Sequence, residues 1–110
     1  MADGDFIYSL ADVWRIRLID AATAADNGVW VDSRIFNNAS IHLVPGTGTL
    51  QIRGSDEPTK PANTAHGYQL GTDATTEARL EIRSLPQWIK GRVSSHSSGT
   101  HNIYATLRKA

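Results

Sequence analysis

No cysteine occurs in the 110 residues, which excludes disulfides, thiolate zinc sites and cysteine nucleophiles. Charge of neither sign is in excess. Eleven Lys and Arg balance eleven Asp and Glu, so no global field draws the chain toward nucleic acid. No apolar run approaches the ~18–20 residues that span a bilayer. The acidic start Met1-Ala2-Asp3-Gly4-Asp5-Phe6 lacks the basic and apolar regions of a signal peptide. A soluble protein made in the cytoplasm is the expectation, with no membrane and no nucleic-acid partner. What is present is one domain's worth of chain, burying roughly 60–70% of its unfolded surface without staples.

Hydrophobic periodicity reads as β throughout. Ile41 and Leu43 alternate with Ser40 and His42, and Leu50 and Ile52 alternate with Gln51 and Arg53. Pro45-Gly46-Thr47-Gly48 between these runs predicts a hairpin. Tyr68–Leu70, Arg79–Arg83, Trp88–Val93 and His101–Arg108 give further strands, with Ser94–Thr100 as a serine-rich loop. Asp12–Ala21 fits a strand (Trp14, Ile16 and Leu18 on one face) or a helix capped by Asp12. Its β-branched and aromatic content favours the strand. Gly54–Gly67, with Pro58 and Pro61 and almost no large apolar residue, predicts a long surface loop. The expected architecture is all-β: a single β-sandwich or jelly-roll-like domain of about seven to eight short antiparallel strands over residues 12–110. Residues 1–11 read as an N-terminal arm whose apolar cluster Phe6, Ile7, Tyr8 and Leu10 docks on a neighbour, or equally as the domain's first edge strand.

Catalytic equipment is not apparent. His96 and His101 flank the serine-rich loop and are placed to approach each other, but a metal site needs a third ligand that nothing nearby supplies. Ser94-Ser95-His96-Ser97-Ser98 lacks a nucleophile elbow. Asp56-Glu57 points into solvent from a loop rather than flanking a cleft. Neither a catalytic residue, a metal ligand nor a cofactor site is assigned. Arg79, Arg83, Lys90 and Arg92 fall on outward faces of successive strands and are expected to form one basic patch. Trp14 and Trp30 read as core. Trp88 shares a face with Lys90 and Arg92, so either another element lids that face or Trp88 is a surface anchor of the kind enriched at interfaces.

The second half resembles small β-sandwich structural proteins of tailed bacteriophage virions. The resemblance is carried by Gly48-Thr49-Leu50-Gln51-Ile52-Arg53-Gly54-Ser55-Asp56 and Tyr68-Gln69-Leu70. It continues in Leu85-Pro86-Gln87-Trp88-Ile89-Lys90-Gly91-Arg92-Val93 and Ser97-Ser98-Gly99-Thr100. The aromatic that usually follows the Gly-Ser turn in such chains is absent, and Pro58 and Pro61 intervene. The resemblance implies a head decoration (cement) or tail-associated protein at the virion's capsid surface. Its implied partners are the major capsid protein and copies of itself as a homotrimer or dimer, held through the terminal arm (Phe6, Ile7, Tyr8) and the Gly54–Gly67 loop; Trp88 and Arg92 join the candidate interface as the residue types enriched at hot spots. A tail-associated or glycan-binding β-sandwich module is the alternative.

Overall fold

A computed structural model describes residues 3–9 and 11–109 and shows an all-β protein of nine antiparallel strands in two sheets. The strands are β1 (Phe6–Ser9), β2 (Val13–Ala22), β3 (Val31–Asp32), β4 (Asn38–Val44), β5 (Thr47–Ser55), β6 (Tyr68–Ala74), β7 (Ala78–Ile82), β8 (Trp88–Ser98) and β9 (His101–Arg108). Sheet A runs β1-β2-β9-β4-β7 and sheet B runs β3-β8-β5-β6, the arrangement of a β-sandwich.

One apolar core lies between the sheets. Ile16, Leu18, Ile41, Leu43, Ile103 and Leu107 enter it from sheet A, and Leu50, Ile52, Ile89 and Val93 from sheet B. These are the alternating positions of each strand, so the period of two settles which face turns inward. β2 departs from strict alternation. Its register slips between Arg17 and Ile19, and Leu18 and Ile19 are both buried. The strand reading of Asp12–Ala21 therefore holds, with a bulge that alternation does not anticipate.

Two expectations are corrected. β4 and β5 do not form a hairpin: β4 pairs with β7 and β9 in sheet A, and β5 with β6 and β8 in sheet B. Pro45-Gly46 instead carries the chain across the sandwich. Ser94–Ser98 is not a loop, because β8 continues through it to pair with Thr47–Thr49. The chain then crosses back to sheet A at Gly99, in the left-handed region with φ 81°. The two crossings stack. A Cβ on Gly46 would stand 2.8 Å from both the Ser98 carbonyl oxygen and the Thr100 nitrogen, so only glycine fits.

The apolar part of the N-terminal arm is β1, the edge strand of sheet A, paired with β2 through Phe6↔Ile16 and Ser9↔Trp14. Leu10, predicted as part of the same cluster, lies outside the described residues.

Candidate functional site

The outer face of sheet B is lidded. Residues 56–67 have no regular structure, yet side chains of sheet B and of Trp30, just before β3, hold them down. Lys90, on β8, is completely buried. Its Nζ donates to the carbonyls of Asn63 and Ala65, both at 2.8 Å, and to His66 Nδ1 at 3.0 Å. Each of the three ammonium donors thus has an acceptor. The same Nζ lies 4.9 Å from the centre of the Trp30 ring, a cation–π contact. Trp30 Nε1 donates to the Ala62 carbonyl and Trp88 Nε1 to the Glu57 carbonyl, both at 2.9 Å. Burial pulls the Lys90 ammonium down to about 8, with Arg92 and Arg53 adding repulsion. Burial also lowers His66, and the nearby cations Lys90, Arg92 and Arg53 lower it further. A neutral His66 accepting at Nδ1 is what this geometry requires.

Of the two readings of Trp88, the lidded one is observed. The ring is 8% exposed, with the Arg34 guanidinium 5.5 Å above it. Trp30 is buried beneath the same loop rather than in the core between the sheets. Trp14 is half-buried at the sandwich edge. Arg92 is half-buried, donating through Nη1 to Gln51 Oε1 at 3.1 Å while its buried Nε has no partner.

The other proposed interface residues lie on sheet A. Phe6 is 47% exposed and packs edge-on against Trp14 at 4.9 Å between centroids, and Trp14 packs edge-on against Phe36 at 4.8 Å. Ile35, next to Phe36 in sequence, is 53% exposed. Sequence reasoning overlooked Ile35, which stands in a turn outside any alternating run. Ile7 is half-buried; the backbone of Tyr8 pairs with Arg15, and its side chain lies outside the described part of the structure. Phe6 and Ile7 on β1 and Trp88 and Arg92 on β8 therefore belong to different sheets.

The expected basic patch is split. Arg79 and Arg83 belong to β7 and the turn after it, on sheet A, whereas Lys90 and Arg92 face outward from sheet B. The Leu85-Pro86 connection crosses between sheets, which sequence adjacency does not reveal.

His96 and His101 do meet, with Nδ1 of the first 2.8 Å from Nε2 of the second. The Gly46 amide donates to His101 Nδ1 at 3.1 Å, so the proton of neutral His101 sits on Nε2 and is given to His96. Burial lowers the His101 pKa, and His96 lowers it further. The pair pins the two stacked crossings together. No group of three metal-ligating side chains occurs among the described residues.

The outer face of sheet A carries a shallow groove of about 630 Å³. Arg15, Ser40, His42, Arg79, Tyr104, Thr106 and Arg108 line it, projecting from β2, β4, β7 and β9. His42 Nε2 is 2.6 Å from Glu77 Oε2, and Arg79 Nε donates to Glu81 at 2.8 Å. Comparison with family models, with curated proteins and with solved structures returned no match.

Proposed function

We propose that the protein is a structural component of a tailed-bacteriophage virion, a decoration protein that holds to the capsid along the β1 edge of its sandwich. The observation that carries this reading is the aromatic row Phe6–Trp14–Phe36 beside an edge strand, with Phe6 exposed at one end and exposed Ile35 next to Phe36 in sequence. An edge strand offers unpaired backbone groups, and flanking apolar side chains supply the surface whose burial drives association. The residues that carry the resemblance also gather in one place. Gly48–Asp56, Tyr68–Leu70 and Leu85–Val93 build β5, β6 and β8 of sheet B, and Ser97–Thr100 forms the crossing that follows. On this reading copies of the chain contact the major capsid protein and one another, and repetition over the shell turns modest contacts into avidity.

The test replaces both exposed apolar residues. The double variant Phe6→Lys/Ile35→Lys should keep the far-UV spectrum of the parent and cease to co-sediment with undecorated heads of the phage that encodes the chain. Undiminished co-sedimentation of the variant would remove the edge from the reading. Failure of the parent chain itself to bind heads would remove the capsid reading altogether.

A further inference from the structure

We propose that the groove on the outer face of sheet A is a binding site for an acidic sugar residue, one bearing a single carboxylate among neutral hydroxyls, such as a uronic or sialic acid unit of an oligosaccharide. The site adjoins β1, since Arg15 pairs with Tyr8, but it does not depend on the capsid reading.

The register places its parts. Arg15 of β2 stands opposite Thr106 of β9, and Thr106 stands opposite Ser40 of β4. Tyr104, two residues along β9, lies between Arg17 and His42 in the adjacent row. The Tyr104 ring is fixed from both sides: the Arg17 guanidinium is 5.4 Å and the Arg15 guanidinium 5.8 Å from its centre, and the His42 ring is 5.9 Å away. An aromatic held in this way needs no reordering to receive a ligand.

Most polar groups of this face are already engaged. His42 meets Glu77, Arg17 meets Asp20, and Arg79 and Ser40 both donate to Glu81. Arg108 donates to Ser40 Oγ at 3.0 Å. Three groups are not engaged in this way. Among the described residues, the Arg15 guanidinium has only its ring contact with Tyr104, and the hydroxyls of Tyr104 and Thr106 have no hydrogen-bond partner. All three line the groove, with Arg15 opposite Thr106 across the β2–β9 ladder and beside the Tyr104 ring. A guanidinium is suited to bind a carboxylate through two parallel hydrogen bonds, and hydroxyls both donate to and accept from sugar hydroxyls.

Charge favours an anionic ligand. The lining arginines Arg15, Arg79 and Arg108 meet Glu77 and the Glu81 that pairs with Arg79, so arginines outnumber carboxylates three to two. A carboxylate complements that surplus. A polyphosphate backbone would meet Glu77 and Glu81 as well as the arginines, so nucleic acid is disfavoured there. The volume lies within the range of about 300–1,000 Å³ typical of small-ligand clefts.

The test titrates the full chain, followed by amide chemical shifts, with four probes: trigalacturonic acid, N-acetylneuraminic acid, the neutral galactose trimer and a glutamate hexapeptide. An array of uronic- and sialic-acid glycans is probed in parallel. Binding of at least one acidic sugar is expected, with shifts at Arg15, Tyr104 and Thr106, no binding of the neutral trimer, and affinity at least tenfold weaker in Arg15→Ala. Arg15→Lys should recover part of that loss, which separates a charge role from a folding defect. Failure of every acidic sugar, equal binding of the neutral trimer, or indifference to Arg15→Ala would each overturn the proposal. Preference for the glutamate peptide would overturn it in favour of a protein partner.

Discussion

Lys90 shows how a residue that alternation marks as outward comes to be fully buried. Its position on β8 was legible, and its burial was not, because the lid is built from loop carbonyls that carry no side-chain signature. Two consequences belong to this residue and its neighbour. In the unfolded chain the ammonium titrates near 10.5, but in the folded protein at about 8. Between those values the unfolded state binds more protons, so stability rises with pH across that window. Urea unfolding of Lys90→Met, compared with the parent at pH 7.5 and 10, should show this rise flattened. At pH 7.5 the variant should also be destabilised by about 1–3 kcal/mol, because three acceptors lose their donor. His66 acts in the acid range. Its folded pKa lies below the ordinary 6.5, so the unfolded chain takes up the proton first and stability is lost as pH falls. A protonated Nδ1 can no longer accept from Lys90. Amide exchange over residues 62–67, corrected for intrinsic rates, should therefore speed up between pH 7 and pH 5. In His66→Gln, which keeps a neutral acceptor, that pH step should vanish.

At the scale of the strand, inward faces were legible and partners were not. Ile41, Leu43, Leu50 and Ile52 sit in the core as alternation requires, yet the runs that carry them occupy different sheets. Pro-Gly chemistry specifies that the chain reverses; whether the returning strand pairs beside the first or crosses above it depends on contacts distant in sequence. Serine content misled in the same way at Ser94–Ser98, where pairing with β5 overrides weak local β-propensity. The groove of sheet A was only partly visible, since Arg15, Arg17 and Tyr104 were recognisable as outward positions but their adjacency follows from the β2–β9–β4 order. β1 is tied to the body by more than its ladder. The Asp20 amide donates to Asp3 Oδ1 at 2.8 Å, and Gly4 donates to the Arg17 carbonyl at 2.7 Å. Burial, then a hydrogen bond with the Asp26 carboxyl, raises the Asp3 pKa from 3.8 to about 7. The folded state therefore binds more protons than the unfolded state between those values, and this contribution to stability declines as pH rises through the window. Asp3→Asn retains the acceptor for Asp20 and removes the titration. Its melting temperature should fall less than the parent's between pH 5.5 and pH 8, and a fall equal to the parent's would refute the shared-proton account.

For the molecule as a whole, the two sheets share one core, and β8 packs tightly against sheet A. The radius of gyration, 12.6 Å, is near the ~13 Å expected of a compact domain this long, so β1 lies against the body rather than extending from it. β8 comes close to sheet A at Gly91. A Cβ there would stand 2.8 Å from Ile103 Cδ1, 3.1 Å from Leu18 Cβ and 3.2 Å from Ile19 Cγ1, all on sheet A. On the other side, Gly28 (φ 72°) passes so near the Gly91 carbonyl that it too admits no side chain. A methyl group at residue 91 cannot be absorbed by rotating one flexible side chain, because the Leu18 Cβ is fixed by its backbone. The sheets must part slightly, and the loosened packing is shared by the whole core. Gly91→Ala should therefore lower stability by about 1–3 kcal/mol. Because both sheets lose contacts together, urea unfolding should remain a single transition with a lower midpoint and an unchanged slope. Separate transitions, followed through the tryptophans under the sheet B lid and through far-UV dichroism, would show that the sheets hold together independently of the contact at Gly91.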